Sequence, residues 1–312
     1  MAPEEARLGA LKRFAVAITV LNLLGHTVLG FEVSVVQLLA CAATGYVVET
    51  ILEAIGAWSE NRPPRFVGGG FRGLVIFLLP AHITALATSM MLFSGDAVLP
   101  LIFGVTIGVA SKSIFTVKVA GKRRHFLNPS NTGIIATILV FPSVLSIPYH
   151  FSEDLYGYWD WALPALILCT GTFLNARFTK KIPLILAWLG SFVLQALIRH
   201  YLLGTWLPGS LATMTGIVFL LFTFYMITDP QTSPSSVRGQ IMFGFAIGAV
   251  YGVLMAFHVV LTIFGALFLV CLSRGVILYV CELTPVRKMQ ERLGAVWFGR
   301  AAPVSVPAIP AD

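Results

Sequence analysis

Charge is scarce in this chain, and acid is scarcer than base. Of 312 residues, 14 are Asp or Glu and 21 are Lys or Arg, and charged residues make up only 11%. A water-soluble domain carries about 25% charged residues, so this composition cannot cover a surface that faces water. Signatures of metal or nucleotide chemistry are also missing. The 4 cysteines, Cys41, Cys169, Cys271 and Cys281, lie inside apolar stretches with no CxxC and no Cys/His spacing. They read as small core residues. The chain has no Walker loop, no GxGxxG and no nucleophile–base pair; the run Gly68-Gly69-Gly70 lacks a preceding strand and a Lys-Ser/Thr ending and reads as a connector. The first apolar run follows Lys12-Arg13 without a small-residue cleavage site, so it reads as a membrane span and not as a cleaved signal.

Long apolar stretches are what the chain has instead. Hydrophobic residues make up 57% of it, and a helical span needs roughly 20 of them in a row. Ten stretches meet or approach that length: 14–31, 33–57, 73–94, 97–117, 131–150, 161–176, 182–203, 210–228, 240–258 and 261–282. With the amino terminus inside, the basic residues fall into inner loops: Arg7, Lys12, Arg13; Arg62, Arg65, Arg72; Lys118, Lys122, Arg123, Arg124; Arg177, Lys180, Lys181; Arg238; and Arg287, Lys288, Arg292, Arg300. The outer loops hold Asp96, Glu153, Asp154 and Asp160, and Arg199 is the main exception. Lys and Arg enrichment of cytoplasmic loops sets orientation. The expectation is an all-α, multi-pass protein of the bacterial inner membrane with ten transmembrane helices and both termini cytoplasmic. Residues 1–285 form its one polytopic domain, with halves of about 14–150 and 161–282, and 286–312 form a disordered cytoplasmic tail. The formal charge of +7 then points to anionic lipid headgroups and not to nucleic acid. The Tyr- and Trp-rich outer segment 150–161 reads as an interfacial anchor.

An internal echo divides the chain. Phe103-Gly104-Val105-Thr106-Ile107-Gly108 and Phe243-Gly244-Phe245-Ala246-Ile247-Gly248 both read FGxxIG. Leu86-Ala87-Thr88-Ser89-Met90 resembles Leu211-Ala212-Thr213-Met214, and Asp96 with Pro100 parallels Asp229 with Pro230. Helices five apart point in opposite directions, so the matches suggest a five-plus-five inverted repeat with a site near the midplane.

Two polar segments stand out. His125-Phe126-Leu127-Asn128-Pro129-Ser130-Asn131-Thr132-Gly133 leads into the fifth span. Asn or Ser before a helix caps free N–H groups, and Pro suits the first turn; the same helix start attracts an anion, such as a phosphate or a reduced flavin. Thr228-Asp229-Pro230-Gln231-Thr232-Ser233-Pro234-Ser235-Ser236 closes the eighth span, either as a plain turn or as a site. Inside the spans, Glu49 and Glu53 share a face of the second helix, one turn apart, and Arg274 lies at the depth of Glu49 on the tenth. The expectation is a Glu49–Arg274 pair, serving as a clamp or as a proton or sodium relay, because charge at membrane depth is costly. Lys112, near an inner end, is expected to snorkel to the interface. His26, His82 and His258 do not sit at matched depths as haem ligands require, so they read as structural.

HFLNPSNTG (His125 to Gly133) together with FTFYMITDPQTSP (Phe222 to Pro234) resembles the RnfD/NqrB family, membrane subunits of electron-transport complexes. The resemblance covers roughly residues 10–285 and is nearest to the branch associated with enediyne biosynthesis. It implies FMN or riboflavin as cofactor and redox or pathway partner proteins, with electron transfer across the membrane that can be coupled to ion movement. Carried onto this sequence, the flavin or interface residues are Asn128, Pro129, Asn131, Thr228, Asp229 and Pro230. Family members attach FMN through its phosphate to a Thr in an SxxT motif, and Ser210-Leu211-Ala212-Thr213 is the nearest match. It departs from the pattern at Leu211, and counting back from Asp229 places the attachment position near Phe219, which cannot form the bond. Two other readings stay open. One is a solute channel or transporter with inverted repeats; the other is a non-catalytic accessory or export factor for secondary-metabolite biosynthesis.

Overall fold

The computed structural model describes residues 3–119, 122–144, 151, 154–259 and 262–283. The expected tail, 286–312, and residues 145–150, 152 and 153, which include the start of the outer segment 150–161, lie outside the described residues. Each of the ten apolar stretches contains helix. The long ones are α1 (Pro3–Leu24), α2 (Val35–Ser59), α3 (Gly70–Met91), α7 (Ile182–Leu203), α10 (Val237–Ala256) and α11 (Thr262–Leu283). The short ones are α4 (Leu99–Ile114), α5 (Pro129–Val140), α6 (Ala162–Leu174) and the pair α8 (Leu207–Ala212) and α9 (Ile217–Leu221). Among the described residues, six helices are long and apolar enough to cross a membrane, or seven if the pair around α8 and α9, bent by 65°, is one span. The chain is a multi-pass membrane protein.

The helix starts follow from the sequence. Ser34 and Gln37 form a reciprocal capping box at the head of α2. The Asn128 side chain accepts from Asn131 N at the head of α5, with Pro129 in the first turn. Ser236 caps α10 through Gly239 N.

Between α4 and α5 the chain departs from the all-α expectation. The expected fourth span ends at Ile114, and an antiparallel hairpin follows: β1 (Thr116–Val119) and β2 (Lys122–His125), with Val117 opposite Arg124. Three of its residues are β-branched, Thr116, Val117 and Val119, all on one strand and interrupted only by Lys118. Val117 is buried while Lys118, Arg123 and Arg124 are exposed, so the basic residues face water on a short ribbon.

The core sits where α4 and α5 pack between the longer helices. Gly104 and Gly133 face one another so closely that a Cβ on either would collide with its neighbour, and a Cβ on Gly108 would stand 2.7 Å from Pro129 O. Ile134, Ile135 and Thr137 of α5 are almost wholly buried. The second FGxxIG serves a different neighbour: Gly244 lies against α7, where a Cβ would meet Leu184 O at 2.6 Å. Both copies thus act as close-contact stripes, one toward α5 and the other toward α7.

Candidate functional site

A cleft opens between the two polar segments. His125, Asn128, Pro129 and Ser130 line one side of its mouth, and Asp229, Pro230 and Gln231 line the other. Its walls are apolar, from Phe14 and Ile18 of α1 and Ile83, Met90 and Met91 of α3, with Tyr225 opposite. Leu11 to Leu21 along α1 covers about 15 Å at 1.5 Å per residue, so the cleft runs deep between the helices from a polar mouth.

The mouth is tied by hydrogen bonds between segments far apart in sequence. His125 Nε2 donates to Gln231 Oε1 at 2.9 Å. Asn128 Nδ2 donates to Met226 O at 3.2 Å, while its Oδ1 accepts from Ser130 Oγ (3.0 Å) and Asn131 N (3.1 Å). Asn131 Nδ2 reaches Phe264 O of α11 at 3.0 Å. Asn131 therefore stands behind the mouth as a bolt between helices.

Met226 O is within reach because it lies in the last turn of its helix, where carbonyls lack intrahelical partners, and it also accepts from Asp229 N at 3.3 Å. Residues Phe222–Met226 form a turn of π-helix following α9, with Ile227 N bonded to Phe222 O at 3.0 Å. Such turns are enriched at functional sites because they leave carbonyls for other donors. Phe224 O accepts from Asn175 Nδ2 (2.8 Å) and Thr228 Oγ1 (2.6 Å). Thr228 is fully buried and points back into its own helix, away from the mouth.

The 229–236 loop is rigid for local reasons. The Asp229 carboxylate accepts from Gln231 N (3.2 Å) and Thr232 Oγ1 (2.8 Å), and its carbonyl accepts from Ser233 N and Oγ. Two buried cations hold the outside of the turn. Lys181, just before α7, donates to Ser233 O and Pro234 O at 3.4 and 2.5 Å, and Arg274 Nη1 donates to Thr232 O. Burial pushes the Lys181 ammonium down to about 8, against the opposing pull of Asp229 and with some help from Arg274.

The expected Glu49–Arg274 pair does not form. Arg274 serves the 229–236 loop, and Glu49 pairs instead with Lys112 of α4, Nζ to Oε2 at 2.6 Å. Lys112 does not snorkel outward; it lines the cleft. Glu53 does not share a site with Glu49 either. It is buried at the foot of α2 and clamps the following loop, with Arg62 and Arg65 each 2.5 Å from one of its oxygens. His82 is structural: the Tyr46 hydroxyl donates to Nδ1 (2.6 Å), and Nε2 lies 2.7 Å from Thr19 Oγ1.

Thr213 is exposed at the break between α8 and α9, outside the cleft. Sequence reasoning missed its neighbourhood. Arg199, set aside as a charge exception, is buried and donates to Gln195 Oε1 (2.9 Å) and to Ser210 Oγ (3.3 Å). Phe219 is buried against Phe192 and Trp188, with ring centroids 4.9 and 5.6 Å apart.

Residues 151–273 match the model of the NQR2, RnfD, RnfE family. The matched part holds α6 to α10, and so Thr213 and the 229–236 loop, and supports the resemblance to RnfD and NqrB. The segment 125–131 lies outside it. No curated protein matches the chain.

Proposed function

We propose that this protein is an RnfD/NqrB-like membrane subunit that holds a flavin in the cleft between 125–130 and 229–231 and takes part in electron transfer through the membrane. The observation that carries the reading is the convergence of the two motif segments, 106 residues apart at the His125–Gln231 bond, on one cleft. The residues present suit the group. An isoalloxazine ring has a hydrogen-bonding edge and an apolar edge. The cleft offers amide, hydroxyl, carboxylate and ammonium groups at its mouth and Phe, Ile and Met along its walls. Asn128, Asp229 and Gln231 would hold the polar edge, and Tyr225 and Met90 would flank the apolar one. A bound flavin would supply one- and two-electron chemistry that no side chain can. The protein's own part is to orient the ring, keep water out and place Lys112 near it. Partner proteins would deliver the electrons.

A second flavin at Thr213 finds support in one feature. Arg199 and Ser210 place a buried guanidinium and a hydroxyl beside the SxxT segment, the chemistry a phosphate needs. The inverted repeat and ten passes belong to the same proposal. The first and sixth helical segments both end in a five-residue π turn, Gly25–Leu29 and Asn175–Thr179, each capped by a left-handed residue, Gly30 and Lys180. We place both termini on the cytoplasmic side of a bacterial inner membrane, on the distribution of Lys and Arg. The enediyne-associated branch is a reading of sequence resemblance alone.

Flavin content of the purified protein tests the proposal, before and after denaturation and after co-expression with a flavin transferase. Flavin released on denaturation, and lost in Asn128→Ala and Asp229→Ala, is the expected result. Fluorescence that stays on the denatured band and vanishes in Thr213→Val marks a covalent group. A folded protein with no flavin in any preparation overturns the reading and favours a transporter or an assembly factor.

A further inference from the structure

Lys112 stands between a carboxylate and a cleft. Its Nζ lies 2.6 Å from Glu49 Oε2, and both side chains are mostly buried, 12% and 14% exposed. Its other side lines the cleft beside Asn128 and Ser130. The charges facing the pair can be named element by element. Glu53 on α2 is neutralised by Arg62 and Arg65, and Arg65 is close enough to act on Lys112. Across the mouth are His125 and Asp229, whose carboxylate oxygens each accept one bond within its own loop. Glu49 is thus the carboxylate that balances Lys112, and a second anion arriving in the cleft would compete for the same ammonium.

We propose that Lys112 couples negative charge in the cleft to proton uptake by Glu49. An anion in the cleft draws the ammonium toward itself. Glu49 then loses its partner cation and takes a proton from the cytoplasmic side in its place. When the charge leaves, Lys112 returns and Glu49 releases the proton. The inference rests on the flavin reading for the source of the charge: a bound flavin would supply negative charge on reduction, and Glu49 would bind the balancing proton.

Infrared difference spectroscopy tests this on the flavin-loaded full-length protein in lipid nanodiscs, with dithionite as reductant. Reduction should raise a protonated-carboxyl band that shifts in heavy water and is absent in Glu49→Gln. The double variant Glu49→Gln/Lys112→Met removes a buried pair without leaving a lone charge. Whatever flavin it retains, reduction of that flavin should give neither the band nor the matching proton uptake. Reduction of the wild-type flavin with no such band, or a band that survives in Glu49→Gln, overturns the inference while the flavin reading stands. Protein that holds no flavin at all overturns the flavin reading, and this inference falls with it.

Discussion

Asn128 does three jobs with one side chain: it caps α5, receives the Ser130 hydroxyl and ties the 222–226 turn through Met226 O. Asn128→Ala should cost about 1–2 kcal/mol, from the lost cap and the lost bond to Met226 O, which keeps Asp229 N as a donor, read as a lower thermal midpoint in detergent. Asn128→Asp keeps the acceptor but cannot donate to Met226 O, so it should fall between wild type and Ala. Lys181 carries a pH dependence whose sign is fixed. Its value falls from 10.5 in the free side chain to about 8 in the fold because burial disfavours the charge. Below about 8 both folded and unfolded chains hold the proton, and the burial penalty is present in full. As pH rises from about 8 toward 10.5 the unfolded chain binds more protons than the folded one, and stability rises. Thermal midpoints across that range should climb in wild type, and that component should vanish in Lys181→Met. The cap at Asn128 was legible from the Asn-Pro-Ser-Asn pattern alone. The partner of Glu49 was not, because depth along a helix can be counted from a sequence but the direction of a face cannot. Counting placed Arg274 level with Glu49, whereas the packing of α2 against α4 offers Lys112.

At the scale of elements, helix contacts decide what a glycine is worth. Gly133→Ala should destabilise by about 1–3 kcal/mol or more, because its Cβ would enter the backbone of α4 at Gly104. Gly190→Ala meets nothing within 4 Å and should be neutral or stabilising by up to about 1 kcal/mol through helix propensity. Urea or thermal melts of the pair in the same detergent distinguish packing from propensity. The FGxxIG repeats were visible as a pattern, and the close helix contacts they make follow from small residues on one face. Which neighbour each would meet was not visible, since that depends on the whole bundle. The hairpin escaped notice for a different reason: its basic residues read as an inner loop, and four-residue strands leave almost no alternation to detect.

For the molecule as a whole, α4 and α5 raise a question of length. Their 16 and 12 residues reach only about 24 and 18 Å, short of a hydrocarbon core of about 30 Å. Helices in contact with lipid cannot stop short, but a helix enclosed by protein can, since its ends are met by buried polar groups and not by acyl chains. The burial of α5 from Ser130 to Ile135 and at Thr137 fits that exception for its first part, while Leu139 and Val140 at its end are exposed. The proposed ten-pass topology requires α4 and α5 to be such helices, and it can be checked by cysteine accessibility in a cysteine-free background. Cysteines at Asp96 and Tyr158 should react with an impermeant maleimide added outside intact cells, and one at Lys118 only after permeabilisation. Labelling of all three from the same side would remove α4 and α5 from the count of passes. The apolar stretches and their order were readable because hydrophobic length is a one-dimensional property. The cleft was not, because α1 and α3 form its walls and neither carries a residue that announces the role.

The wide turn at Phe222–Met226 gives the chain an unusual sensitivity to length. It holds one residue more than an α-helical turn would, and everything after it is set by that surplus. Deleting a single residue between 222 and 226 would let the helix close into regular α form and rotate the following segment by about 100°. Asp229 and Gln231 would leave the mouth, and Met226 O would no longer meet Asn128. A three-nucleotide deletion, too small to disturb a hydropathy profile, would turn a chain with this cleft into one with the same spans and no cleft. Homologues of matching length and apolar pattern can therefore be sorted into those that keep the extra residue and those that have lost it.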